Sequence, residues 1–237
     1  MFQGFSQATG DFIWSLALNN DRTWFMAHKD EFEAVFNQPF KALAADTCAL
    51  MRERWPDRSF QFHVSRIYRD ARRLFGRGPY KDHLWFTIYD GARHNIGPML
   101  WFELDGTSHS YGAGFWDDAV DVAQAFREKI DEDPARFERM IEDLARHGEY
   151  RLWGEEYKRP KGDRGPVINP WYNRKHISVG YQYGYGGQLY SPELPRIVAD
   201  AFDWLLPFFD FYTEAYRDVL AQRAAMRALS LGEGEEV

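Results

Sequence analysis

The sequence predicts an α+β fold: an antiparallel, meander-like sheet flanked by helices in a single domain. Three observations carry that expectation. Apolar residues recur at helical spacing over residues 9–55 and again after residue 118. Between residues 60 and 115 the period drops to two. An Asp105-Gly106 pair then joins two alternating runs, a strong two-residue hairpin signal. At 237 residues the chain is long enough to bury a large core.

The elements follow in order. Thr9 or Asp11 can cap a first helix whose Phe12, Ile13 and Leu16 share a face, and Asn19-Asn20 stops it. Asp21 can cap a second, with Trp24, Phe25, His28, Phe32, Val35 and Phe36 along one stripe. Pro39 suits the first turn of a third, which carries Cys48 as a buried small hydrophobe and ends at Trp55-Pro56. Phe60, Phe62 and Val64 alternate with polar residues in a first strand, and Leu84, Phe86 and Ile88 in a second. Residues 98–104 and 107–115 make the hairpin. Helices are expected near 118–131 and 134–147, the latter opened by Pro134 and closed by Gly148. Residues 150–175 read mostly as loop, and Ile177 to Tyr185 as a further strand. A closing helix begins at Ser191-Pro192, with Pro207 expected to kink or split it before a segment to about 228. Residues 1–228 thus form one domain, and the acidic stretch 229–237 reads as a disordered tail.

Composition narrows the function classes. Hydrophobic residues at 45% and charged residues at 27% exclude wholesale disorder, and aromatics at 17% point to a ring-rich core or binding surface. A net charge of -7 argues against a nucleic-acid binder. One cysteine excludes an internal disulfide and a multi-cysteine zinc site. There is no apolar run of transmembrane length and no signal-like N-terminus, so a cytoplasmic location without a membrane partner is expected. The seven histidines form no metal-binding spacing, there is no nucleophile elbow, and the glycines at 180–187 lack the context of a phosphate loop. No metal or nucleotide cofactor motif is therefore present.

The positive charge is concentrated. Residues 66–83 carry a net +4 and residues 151–175 another +4, which leaves -15 on the other 194 residues. Two cations about 5 Å apart repel by roughly 3 kcal/mol at an effective dielectric of 20, and arginine cannot escape by losing its proton. Such crowding calls for acidic partners, solvent, or a bound anion. Strand parity continues the Phe60, Phe62, Val64 face to Arg66, which should point to the apolar side or to a cavity at its edge. Arg66, Arg69, Arg72 and Lys81 are the candidate anion contacts from the first segment. Lys158, Arg159, Lys161 and Lys175 are those from the second, clamping the same ligand from another side.

The segment Arg66-Ile67-Tyr68-Arg69-Asp70-Ala71-Arg72, followed by Pro79-Tyr80-Lys81-Asp82-His83, resembles the signature of the bacterial and fungal family catalogued as domain of unknown function 2461. That signature runs Arg-x-x-Arg-Asp-x-Arg-Phe, then Asp or Asn and Lys shortly before Pro-Tyr-Lys. Phe5, Asn19-Asn20 before Trp24-Phe25, and Arg159-Pro160-Lys161-Gly162 agree as well. The chain departs at Arg73, where Phe is usual, and at Gly76-Arg77, where Asp-Lys is usual. The resemblance implies a fold and a site location and implies no reaction.

Two functions from different classes fit these residues. One is an enzyme acting on a small phosphorylated or carboxylated substrate held by the arginine cluster. His83 and Tyr80 would then be candidate acid–base groups, and Asp70 would orient an arginine. The other is a non-catalytic module binding an anionic ligand or an acidic partner.

Overall fold

A computed structural model describes residues 1–74, 76–91, 97–115 and 120–232. The fold is α+β, as the period change predicts. Six strands form one open antiparallel sheet in the order β1-β2-β3-β4-β6-β5. They are β1 (Phe60–Val64), β2 (Leu84–Asp90), β3 (Met99–Leu104), β4 (Ser108–Gly114), β5 (Arg151–Trp153) and β6 (Ser178–Gly184). Contacts cluster in two compact units. The first is Met1–His94 with Leu100–Gly112 and Tyr181–Asp203; the second is Asn95–Met99 with Ala113–Gly180 and Trp204–Val237.

In the first unit the helices α1 (Gln7–Leu18), α2 (Arg22–Ala27), α3 (Lys29–Phe32) and α4 (Gln38–Arg54) accompany β1, β2 and β3. Phe86 and Phe102 are register partners on adjacent strands and stack at 5.4 Å, and Phe40 of α4 meets each ring at 5.8 Å. The meander's tight turn forms as its sequence requires, with the Asp105 carboxylate accepting from the N–H groups of Thr107 and Ser108. Cys48 is buried in α4, where burial pushes its thiol pKa up, so it packs rather than reacts.

The helical stretch differs from expectation in an instructive way. The cap of α1 is Ser6, not Thr9 or Asp11. The second predicted stripe breaks at His28, whose ring Nδ1 lies 2.8 Å from the Trp24 carbonyl. Between α3 and α4 the chain makes a π-turn over Glu33–Asn37, closed by the Gln38 N–H on the Glu33 carbonyl. Pro39 explains it. Proline has no N–H for the carbonyl four residues back and its ring would strike that carbonyl. The orphaned Val35 carbonyl instead accepts the buried Thr9 hydroxyl at 2.7 Å.

The second unit contains α5 (Val120–Glu132), α6 (Pro134–Ala145), α7 (Gly165–Tyr172) and the C-terminal part of α8 (Leu194–Gly232). Its core is aromatic: Phe137 packs against Trp171, Phe208 and Phe211, and Trp171 stacks on Phe208 at 5.0 Å. Residues 150–175 are mostly loop, as expected, but include β5, which pairs with β6, and α7, which is anchored by buried Ile168 and Trp171. Pro207 does not split α8. It sits on the exposed side of a helix whose Leu205, Leu206, Phe208 and Phe209 are buried, where water can satisfy the carbonyl it leaves free. The predicted tail at 229–237 begins as helix through Gly232, and residues 233–237 lie outside the described residues.

Candidate functional site

The π-turn sets the geometry of the site. Three plain α-helical turns advance about 10.8 residues. One residue inserted by the π-turn brings Lys29 and Lys41, 12 positions apart, back to nearly the same azimuth. Lys29, Glu33, Asn37 and Lys41 therefore share one helix face. They line a cavity of about 190 Å³ together with Phe25 and Phe32 and with Val64, Ser65, Arg66, Ile67 and Tyr68, the chain leaving β1.

That segment carries the arginine motif. β1 ends at Val64, Ser65 and Ile67 are buried, and Arg66 is exposed at the cavity rim, the second of the two placements that strand parity left open. Ser65 ends the strand because its hydroxyl accepts the Trp85 N–H at 3.0 Å while its own N–H reaches the Trp85 carbonyl. Residues 67–69 then run antiparallel to 79–81, through a Tyr68–Tyr80 bridge and the bonds Arg69 N to Pro79 O and Lys81 N to Ile67 O. Asn20 clamps this base from the helical side, donating to the Tyr80 carbonyl at 2.9 Å and accepting its N–H at 3.0 Å. A side chain at position 78 would run into Asn20, so glycine is required by that close approach.

The motif's cations divide into two kinds. Arg69 donates through Nε to the Tyr80 carbonyl at 2.7 Å and through Nη2 to Asp82 at 3.3 Å. Arg72 is exposed and forks onto Asp70, which also caps the short turn Ala71–Arg73. Both are locked to partners. By contrast Arg66, Lys29 and Lys41 make no hydrogen bond or ion pair among the described residues. With Glu33 they leave a net +2 around the cavity in a chain whose net charge is -7. Partial burial opposes the charge on Glu33, but the amides of Asn37 (2.7 Å) and Gln38 (3.0 Å) and the fields of Lys41 and Lys29 hold its carboxyl below the usual range.

The remaining candidates do not line this cavity. Tyr80 is 2% exposed, stacks on Phe25 at 4.0 Å, and burial raises its pKa, so its ring packs behind the cavity wall. The His83 Nδ1 lies 3.0 Å from Asp82, whose carboxyl stays below its ordinary range: burial opposes its charge, but His83 and Arg69 outweigh it. Burial, then the charges of Arg69 and Arg66, lowers the pKa of Lys81, whose ammonium sits 5.6 Å from the Trp85 ring centre. Glu103, opposite Trp85 on β3, is displaced upward by its own burial, with Lys81 and His83 opposing.

The second basic segment belongs to the second unit. Lys175 pairs with Glu155 at 2.7 Å, and the Lys161 ammonium lies 4.7 Å over the Tyr157 ring. Lys158 and Arg159 are exposed without an ion pair among the described residues. Arg164 forks onto Asp131, which also accepts the Tyr172 hydroxyl. Among the described residues no group of three histidine, cysteine or acidic side chains is placed to hold a metal ion, and no helix is long and apolar enough to cross a membrane.

The sequence profile described as Conserved hypothetical protein (DUF2461) matches residues 8–211. The chain belongs to this family. No curated protein matches it. Within this DUF2461 chain, the residues that carried the resemblance perform distinct jobs: Arg66 edges the cavity, Arg69 ties the loop base, and Tyr80 backs the wall. Lys29, Glu33, Asn37, Lys41 and Glu103 are absent from the residues singled out by sequence. The signal for the first four was a spacing of four that runs across Pro39, which reads as one face only once the π-turn is recognised.

Proposed function

We propose that this DUF2461 chain binds a small anionic ligand, phosphorylated or carboxylated, in the cavity between Lys29–Lys41 and Val64–Tyr68. One contrast carries the reading. The neighbouring arginines 69 and 72 are each held by protein acceptors, whereas the three cations at the cavity have none among the described residues. Cations gathered without partners repel, and an anion relieves that repulsion. The volume of about 190 Å³ is below the roughly 300–1,000 Å³ of pockets that take drug-sized ligands, so the ligand is smaller than a nucleotide. Thermal melts at fixed ionic strength test this. Inorganic phosphate or 2-phosphoglycolate should raise Tm in the wild type and lose that effect in Arg66→Ala and Lys41→Ala. No rise with either anion, or the same rise in both variants, defeats the proposal.

A second reading, in which the bound ligand is chemically transformed, draws on Lys81 and Glu103. Both are displaced toward their neutral forms beside His83, the arrangement that proton transfer uses. In that case Glu103→Gln abolishes turnover while leaving ligand binding intact. Absence of turnover in the wild type under saturating ligand leaves the chain a binding module.

A further inference from the structure

Two oxygens at the cavity are left without donors. The Glu33 carboxylate receives the Asn37 and Gln38 amides on the same atom, Oε2, and no described residue donates to Oε1. A carboxylate only accepts, so Asn37 must turn its N–H toward it. Its Oδ1, on a residue 9% exposed, then accepts from no described residue. These two acceptors sit at i and i+4 on one face, between Lys29 and Lys41, which are unpaired and do not close on them.

We infer that the ligand is a small zwitterion, whose anionic group lies against Lys29, Lys41 and Arg66 and whose ammonium is received by Glu33 Oε1 and Asn37 Oδ1. This rests on the anion-binding reading above and adds the amine. A mixed lining of three cations and one fixed carboxylate suits opposite charges on one molecule better than a bare anion, which Glu33 would repel. The π-turn is what makes this possible, since without it Lys41 would rotate away from Lys29. The cavity holds the volume of about six liquid waters, room for an amino acid or a phosphorylated short amine.

Calorimetric titration of the full chain tests the inference with three ligands: phosphoethanolamine, ethyl phosphate, which lacks the amine, and inorganic phosphate. Phosphoethanolamine should bind at least about tenfold more tightly than ethyl phosphate, as one charge-assisted hydrogen bond contributes. Glu33→Gln should erase that preference while ethyl phosphate binds no more weakly than before. Equal affinity of the two ligands for the wild type overturns the amine assignment and leaves anion binding standing. No binding of any of the three overturns both. The wild-type ligand comparison stands whether or not the variant folds.

Discussion

His109 of β4 offers a prediction whose size comes directly from the structure. The residue is 1% exposed, its ring stacks on Tyr183 at 5.7 Å, and Nε2 lies 3.0 Å from the Gln188 amide. Nδ1 has no partner among the described residues. Burial pushes the imidazole pKa down from 6.5 to about 4, against the weaker pull of Asp105. The other rings facing it include the phenols of Tyr111 and Tyr183. Displacement from 6.5 to about 4 corresponds to about 3 kcal/mol. The sign follows from proton uptake: as pH falls below 6.5, the unfolded chain binds a proton that the folded chain refuses. The penalty is therefore absent above pH 7, grows as pH falls to about 4, and is complete below it. Urea unfolding at steps between pH 7.5 and 4.5 reads it out for the wild type and His109→Gln. Carboxylate contributions are common to both and cancel in the difference. The wild type should lose about 2 to 3 kcal/mol more than the variant across that range. Parallel stability–pH curves for the two proteins refute the reasoning.

Three further outcomes are expected. Thr9→Val removes the donor to the part-buried Val35 carbonyl and should destabilise the chain by about 1–2 kcal/mol in urea melts; adding Pro39→Ala, which restores an N–H to that carbonyl, should recover part of the loss. Gly78→Ala forces a methyl into Asn20 and should lower stability by about 1–3 kcal/mol, while Gly76→Ala, in open space, is held back only by its positive φ and should cost less. Arg66→Ala should leave Tm unchanged because the side chain is exposed and unpaired. Arg69→Ala should lower stability by about 1–3 kcal/mol, because its Nε bond to the Tyr80 carbonyl is mostly buried. Equal effects of the two arginine substitutions on melting would erase the distinction between cavity and tie.

Much of the fold is legible because it is written in local periodicity. The alternation at Phe60, Leu84 and Val179, the Asp105-Gly106 turn and the positive φ of Gly148 are all properties of short segments. What escaped depends on distant partners. Helix α7 opens on Gly165-Pro166 and contains Pro170, so it looks like loop; the burial of Ile168 and Trp171 holds it. The carbonyl that Pro39 frees at the π-turn is met by Thr9 from 26 residues away. The same division runs through the site. Arg66 stands out by composition, whereas the face shared by Lys29, Glu33, Asn37 and Lys41 exists only after that insertion. Arg66 and Arg69 are the same residue three positions apart; no pattern in the sequence separates a cation at a cavity from one already bonded to the Tyr80 carbonyl.

The central claim is that unpaired cations around one cavity hold a negatively charged guest. A phosphate titration followed by amide chemical shifts in a ¹H–¹⁵N spectrum tests it most directly. Saturable shifts should concentrate at residues 29–41 and 64–68 and vanish in Arg66→Ala. Shifts centred on Lys158 to Lys161, or a spectrum indifferent to phosphate, would contradict it.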